Sequence, residues 1–410
     1  MLPKRIATLL IASAAVASAE VTPGELLIAE MNCVACHEPS AATAARLASR
    51  PSPRLGTNGV NAGAEWLRAF LANPQKTKPG TLMPDMLATL PLEQREAATD
   101  ALVHFLVSIQ RPAEKTQPVD EAAKSTAGSR LYHEVGCVQC HQPFTAPAGR
   151  ESELAELAAR SVPLGGPEIA RKYSVGDLAR FLKDPLQSRP GGRMPSQMLT
   201  GEEAESIAMF LLKEGTGGQP ATPFSVDPAK AAAGAGYFAS LQCTKCHTDA
   251  PLPPTTVQVP AAKRFEMLRA RNAAGCIAPN PKGNTARFDL TERQKTVILA
   301  ALRSQEVLEI PLTAEQQIRR TMTTLNCYAC HSRDRRGGIS ELRLKYLGDR
   351  QKTPPSLSGV GGKLSQDAIS TVLASGKKGE SSHSLRMPIF GTANTGHLPV
   401  LFEQADAPQK

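Results

Sequence analysis

Aromatic side chains are scarce: one tryptophan, five tyrosines and eleven phenylalanines among 410 residues. Hydrophobic residues make up 41% of the chain, a thin supply for the three or four domains that this length suits, unless something other than side chains helps to fill their cores. Beyond the N-terminal segment no apolar run is long enough to cross a bilayer, so no membrane span is expected in the mature chain. There is no polybasic run either. Nor is there a nucleophile triad, a phosphate-binding glycine loop or a paired-carboxylate site, so the common hydrolase and phosphoryl-transfer chemistries have no residues to run on.

What is present begins at the N-terminus. A basic start at Lys4 and Arg5 leads into the apolar run Ile6 to Val16, and Ala17-Ser18-Ala19 stands before Glu20. This is the pattern of a cleavable signal peptide at residues 1–19. An uncleaved anchor competes with it, but the run is shorter than a bilayer span. The expected location is the periplasm, or otherwise outside the cytoplasm, where thiols become disulfides or are captured by a cofactor. Export argues against nucleic acid as a partner.

Eight of the nine cysteines fall into four copies of one pattern: Cys33-Val-Ala-Cys36-His37, Cys137-Val-Gln-Cys140-His141, Cys243-Thr-Lys-Cys246-His247 and Cys327-Tyr-Ala-Cys330-His331. From this composition a single match has a chance probability of roughly 0.004, so four are a repeat. The motifs stand a domain's length apart, with the third module short. The spacing divides the mature chain into modules at 20–117, 118–222, 223–310 and 311–410.

The flanks repeat as well. Gly24, Gly128 and Gly234 precede the first three motifs at one spacing, each followed four residues later by Ile28, Tyr132 or Phe238. On a helix this sets a bare spot and a large apolar group on one face, where a second helix can approach. In the fourth module Ile318 and Met322 occupy these places. After the motifs come Pro53-Arg-Leu55-Gly56, Pro163-Leu164-Gly165 and Pro355-Ser-Leu357-Ser-Gly359, then amphipathic segments at Ala64 to Ala72, Val175 to Lys183 and Gln366 to Ala374. Met83-Pro84, Met194-Pro195 and Met387-Pro388 follow, and then closing helices at Leu92 to Ile109, Gly201 to Lys213 and, in the third module, Thr291 to Ser304. Linkers are expected near Arg111 to Thr126 and Gly215 to Pro228, and a brief junction at Glu306 to Thr313 suggests that modules three and four pack as a pair.

Two cysteines flanking two residues at a helix end can bond both vinyl groups along one edge of a haem, and the next residue, histidine, is placed to coordinate its iron. Zinc would need a second ligand pair close to each first one, and a redox disulfide would need a strand and helix around it; neither context is visible. A methionine held by the proline after it suits the other face of the iron, because a thioether favours the ferrous state and fills the last axial position. A single methionine is more often core filler, but three at equivalent places are not. Ligation by a second histidine would have to use His104, His133, His383 or His397, which occupy unlike positions and leave the third module without one. The chain's formal charge of +9 then reads as compensation: without Lys4 and Arg5, four haems bring it to about −1 when ferrous and about +3 when ferric.

Each module thus resembles a class I c-type cytochrome domain, and the chain resembles a tandem tetrahaem periplasmic cytochrome c. The resemblance implies an all-α fold of four tandem domains, in which terminal helices cross at the glycine. It implies four covalent haem c groups on Cys33, Cys36, Cys137, Cys140, Cys243, Cys246, Cys327 and Cys330, with His37, His141, His247 and His331 as iron ligands opposite Met83, Met194 and Met387. It also implies that the carbonyls of Pro53, Pro163 and Pro355 accept the protons of His37, His141 and His331. The stretch Pro354 to Lys363 is similar to haem domains of large modular bacterial periplasmic proteins.

The third module departs from the pattern. Counted back from its helix-opening Thr291, the methionine position holds Thr285. Two sulfurs remain as candidates, Met267 and the ninth cysteine, Cys276. Cys276 reads as a free thiol, an axial ligand or the site of an intermolecular bond or modification. Thiolate ligation would lower the potential of this haem, and an empty position would admit a small ligand.

The expected function is electron relay from an exported dehydrogenase or a membrane complex to a terminal oxidase or another cytochrome. Two alternatives stand beside it: that the third haem is a catalytic or ligand-sensing site fed by the other three, and that the chain is the cytochrome subunit of an exported dehydrogenase.

Overall fold

The computed structural model describes residues 20–59, 61–112, 120–141, 164, 168–216, 224–252, 261–268, 274–283, 285–344, 353–376 and 385–407. The expected signal peptide, Pro163 and His383 lie outside these. The described chain is all-α; its strands are a two-residue pair, Ser332–Arg333 with Arg336–Gly337.

The longer helices are α1 (Pro23–Glu30), α2 (Ala64–Ala72), α3 (Leu92–Ser108), α4 (Glu121–Glu134), α5 (Val175–Lys183), α6 (Gly201–Thr216), α7 (Pro228–Ser240), α8 (Glu292–Arg303), α9 (Ala314–Thr324), α10 (Gln366–Ser375) and α11 (Leu398–Asp406). Their starts follow from capping chemistry. Thr22 and Asp227 accept backbone N–H groups of α1 and α7, each with proline as the first helical residue. Thr291 and Thr313 form reciprocal capping boxes with Gln294 and Gln316. The expected linkers are shorter than the composition suggested. Asp120 caps α4 well before Thr126, its side chain accepting two backbone N–H groups, and α6 continues through Thr216.

Each of the first three opening helices crosses a closing helix at its glycine, but not always the closing helix of its own module. A Cβ on Gly128 of α4 would overlap the Ser206 carbonyl of α6, within one module. A Cβ on Gly234 of α7 would overlap the Ala101 carbonyl of α3, and one on Gly24 of α1 the Val297 carbonyl of α8. The first and third modules have therefore exchanged opening helices. The contiguous divisions 20–117 and 223–310 do not describe how the chain packs, since a repeated helix face fits either copy of its partner.

Two composite cores result. One joins Trp66, Leu67, Leu102 and Phe105 to Ala235, Phe238 and Leu241. The other joins Leu27, Ile28, Met31 and Leu47 to Phe265, Ile277, Ile298 and Leu302. A third core lies between α4, α5 and α6 around Tyr132, Leu178 and Ile207. A fourth lies between α9, α10 and α11 around Ile318, Met322 and Phe402. There the close approach is made by Gly361, against the Phe402 carbonyl.

The second composite core is tied to the fourth unit by the segment after its motif. Arg46 and Glu25 form an ion pair of 2.9 Å with side chains about 1% exposed, and Arg46 also donates to the Ile310 carbonyl at 2.7 Å. Arg50 donates to the Thr324 carbonyl at 2.8 Å and pairs with Glu30. The short junction at 306–313 thus leads into a unit held by residues of the first module.

Candidate functional site: a cavity lined by four Cys-x-x-Cys-His motifs

Every opening helix breaks at the same point. The residue before the first cysteine, Asn32, Gly136, Gln242 or Asn326, is left-handed (φ 53°, 117°, 61° and 56°), and the next residues form a single tight turn. Asparagine and glycine take this conformation at low cost. The reversal presents both cysteines and the histidine on the same side. Asn32, Gly136 and Asn326 were the sequence signal for this turn, one that motif spacing alone does not reveal, while Gln242 adopts it without such a preference.

All four motifs open on one continuous cavity of about 2470 Å³, beyond the roughly 300–1,000 Å³ of a single small-molecule site. Each expected cysteine and histidine lines it, as do Met83, Met194, Met387, Cys276 and Thr285. Burial pushes the thiols of Cys137, Cys243 and Cys327 up to about 12, and that of Cys33 higher still, with a further contribution from Cys276. Such groups are poor thiolate nucleophiles but sit well for a covalent apolar attachment.

The histidines are oriented by carbonyls. His331 Nδ1 donates to the Pro355 carbonyl at 2.8 Å, within one unit. His247 Nδ1 donates to the Pro53 carbonyl at 2.9 Å, and His37 Nδ1 to the Lys263 carbonyl at 2.7 Å. The expectation that Pro53 serves His37 is therefore corrected: the helix exchange carries the third motif to the Pro53 loop and the first motif to the 261–268 segment. With Nδ1 engaged, Nε2 is the nitrogen left for a metal. Burial lowers the basicity of His247 and His331, which favours the neutral, ligating form.

The methionine loops pair across units. Asp85, two residues after Met83, forms an antiparallel bridge with Arg287; Ser196, two after Met194, forms one with Ile389, two after Met387. This register sets Thr285 in the place that methionine holds in the other three loops. Met267 is 66% exposed and so poorly placed for a buried iron. Cys276 packs against the cluster containing Cys33, so the sulfur expected beside the third motif stands beside the first. The three spare histidines among the described residues have other partners. His104 accepts from Asp227 N–H at 2.9 Å, His133 donates to the Ser129 carbonyl, and His397 bonds Thr321 Oγ1.

Cations collect around the same cavity. Lys172 lies over Trp66 and Tyr173, 4.4 and 4.7 Å from the ring centroids. Burial, then the neighbouring charge of Arg189, holds Lys172 and Lys78 well below the usual lysine range. Among the described residues none of these three pairs with a carboxylate, and Arg189 Nε has no partner. Half-buried cations beside an apolar cavity fit a cofactor that is apolar in body and carries carboxylates at its rim, as haem does.

The motifs also approach one another in pairs. Lys245 acts on the Cys36 thiol and Cys36 on that of Cys246. Asn326 Nδ2 lies 3.7 Å from Cys140 Sγ, and Cys140 is near enough to help raise the Cys327 thiol.

A Cytochrome c family model matches residues 21–110, less than a quarter of the chain. No curated protein and no solved structure matched. Residues 21–110 thus have the pattern of a cytochrome c module, and the match supports haem-based electron transfer on covalently bound haem c. No helix among the described residues is long and apolar enough to cross a membrane.

Proposed function

We propose that the chain is an exported tetrahaem c-type cytochrome that relays electrons between redox proteins, receiving them from a dehydrogenase or membrane complex and passing them to a terminal oxidase or another cytochrome. The observation that carries this reading is the shared cavity: four Cys-x-x-Cys-His motifs line it, each of the three described His Nδ1–carbonyl bonds leaves one ring nitrogen for iron, and unpaired cations stand at its walls.

Haem c, when bound, supplies one-electron chemistry with little change of geometry. The residues do the rest. Cys33, Cys36, Cys137, Cys140, Cys243, Cys246, Cys327 and Cys330 would tether it, and His37, His141, His247 and His331 would ligate its iron, with Met83, Met194 and Met387 as further ligands. Leu, Phe and Trp side chains exclude water, and Lys78, Lys172 and Arg189 offset carboxylate charge. The approaches of Cys36 to Cys246 and of Cys140 to Asn326 favour two exchange pairs, first with third and second with fourth.

Pyridine haemochrome assay of matured protein is expected to give four haems per chain; appreciably fewer overturns the proposal. Thr285 at a methionine position favours one further reading, that one haem binds a small ligand and is catalytic or sensing. Carbon monoxide uptake at one haem of the reduced protein supports it, and no uptake leaves simple relay.

A further inference from the structure

We infer that axial coordination is crossed between the first and third modules: Met83 is the partner of His247, and the haem tethered by Cys33 and Cys36 is the one without a methionine. The inference rests on the tetrahaem reading above and reverses the assignment that sequence order suggests, in which the third haem is the outlier.

Independent observations converge on it. The orienting carbonyls are exchanged, Pro53 to His247 and Lys263 to His37. The apolar clusters are exchanged in the same sense: Met83 packs in the core that holds Cys243, while Cys276 packs in the core that holds Cys33. Adjacent side chains divide at the boundary, Leu82 joining the first-motif core and Met83 the third-motif core. The bridge between Asp85 and Arg287 then sets Thr285 at the methionine place of the unit containing the first motif. A threonine hydroxyl is a weak ligand for haem iron beside a thioether or imidazole, so the sixth position of that haem is left to Cys276 or to an external ligand.

Assembly follows the same logic. The first motif takes its histidine carbonyl from Lys263 and its apolar wall from Phe265, Ile277 and Ile298, so haem retention there depends on residues more than two hundred positions downstream.

The test compares two variants, Cys33→Ala/Cys36→Ala and Cys243→Ala/Cys246→Ala, by haemochrome count and by the red absorption band of methionine-ligated ferric haem. Wild type should show four haems and the band of three. The first variant should keep the full band with three haems, and the second should lose a third of it. The opposite pattern overturns crossed coordination while leaving the tetrahaem reading intact, whereas a wild-type count below four sinks that reading first. Should either variant fail to accumulate, methyl-labelled wild type decides by NMR. Met83 methyl contacts to the haem bearing the Cys243 and Cys246 thioethers are expected; contacts to the haem on Cys33 and Cys36 overturn the inference.

Discussion

His247 Nδ1 donates to the carbonyl of Pro53, 194 residues earlier in the chain, at 2.9 Å. That bond joins the third motif to a loop of the first module, and its counterpart from His37 to Lys263 closes the exchange. A contiguous match to the Cytochrome c family over residues 21–110 is compatible with this. The segment has the pattern of one domain, but its opening helix and its loops are distributed over two units.

Two glycines of α7 should respond oppositely to alanine. Among the described residues nothing lies within 4 Å of where a Cβ on Gly236 would stand, so Gly236→Ala should stabilise the protein by about 0.5–1 kcal/mol through helix propensity. Gly234 lies against the Ala101 carbonyl, so Gly234→Ala should cost about 1–3 kcal/mol by overpacking. Thermal unfolding of the matured protein reads both.

The cofactor-free chain should gain stability in alkali. Burial first, and Arg189 second, lower Lys172 on folding, so the unfolded chain binds more protons between the folded value and the ordinary 10.5, and stability rises with pH through that window. Lys172→Met should flatten the rise. In the haem-loaded protein the rise should be absent, because carboxylates at the rim of haem favour the charged lysine. Denaturant midpoints across pH check this.

The fourth unit should loosen in acid. Burial alone would raise Asp406, but hydrogen bonds from Arg333 and from Gly361 N–H hold it below the ordinary 3.8. A carboxylate lowered on folding contributes stability above its unfolded value and loses it as pH falls through the folded one. Asp406→Asn should cost about 1.5–3 kcal/mol at neutral pH and remove part of the acid transition, read by circular dichroism.

The Asp85 carboxylate should hold two composite units together. It accepts from Arg95 at 2.7 Å and from Arg287 at 3.0 Å, and its side chain is buried. Asp85→Ala leaves two guanidinium groups without their anion and should cost about 3 kcal/mol. A structural effect limited to α3, with no change at α8, would contradict the linking role; hydrogen exchange of the two helices distinguishes the cases.

Local pattern was legible because it is set by neighbours in the chain. The four Cys-x-x-Cys-His motifs, the bounds of α2 and α5, the glycine faces of α1, α4 and α7 and the odd position of Thr285 all follow from spacing, capping and helical period. Partner choice was not legible. Gly24 and Gly234 present the same face, and Val297 of α8 and Ala101 of α3 receive it equally well in pattern. Only the packed chain, with the histidine carbonyl partners and the bridge from Asp85 to Arg287, decides which copy is used. That decision is made by long-range contacts whose chemistry repeats at every module, so the sequence determines what each helix binds and the tertiary structure determines which one.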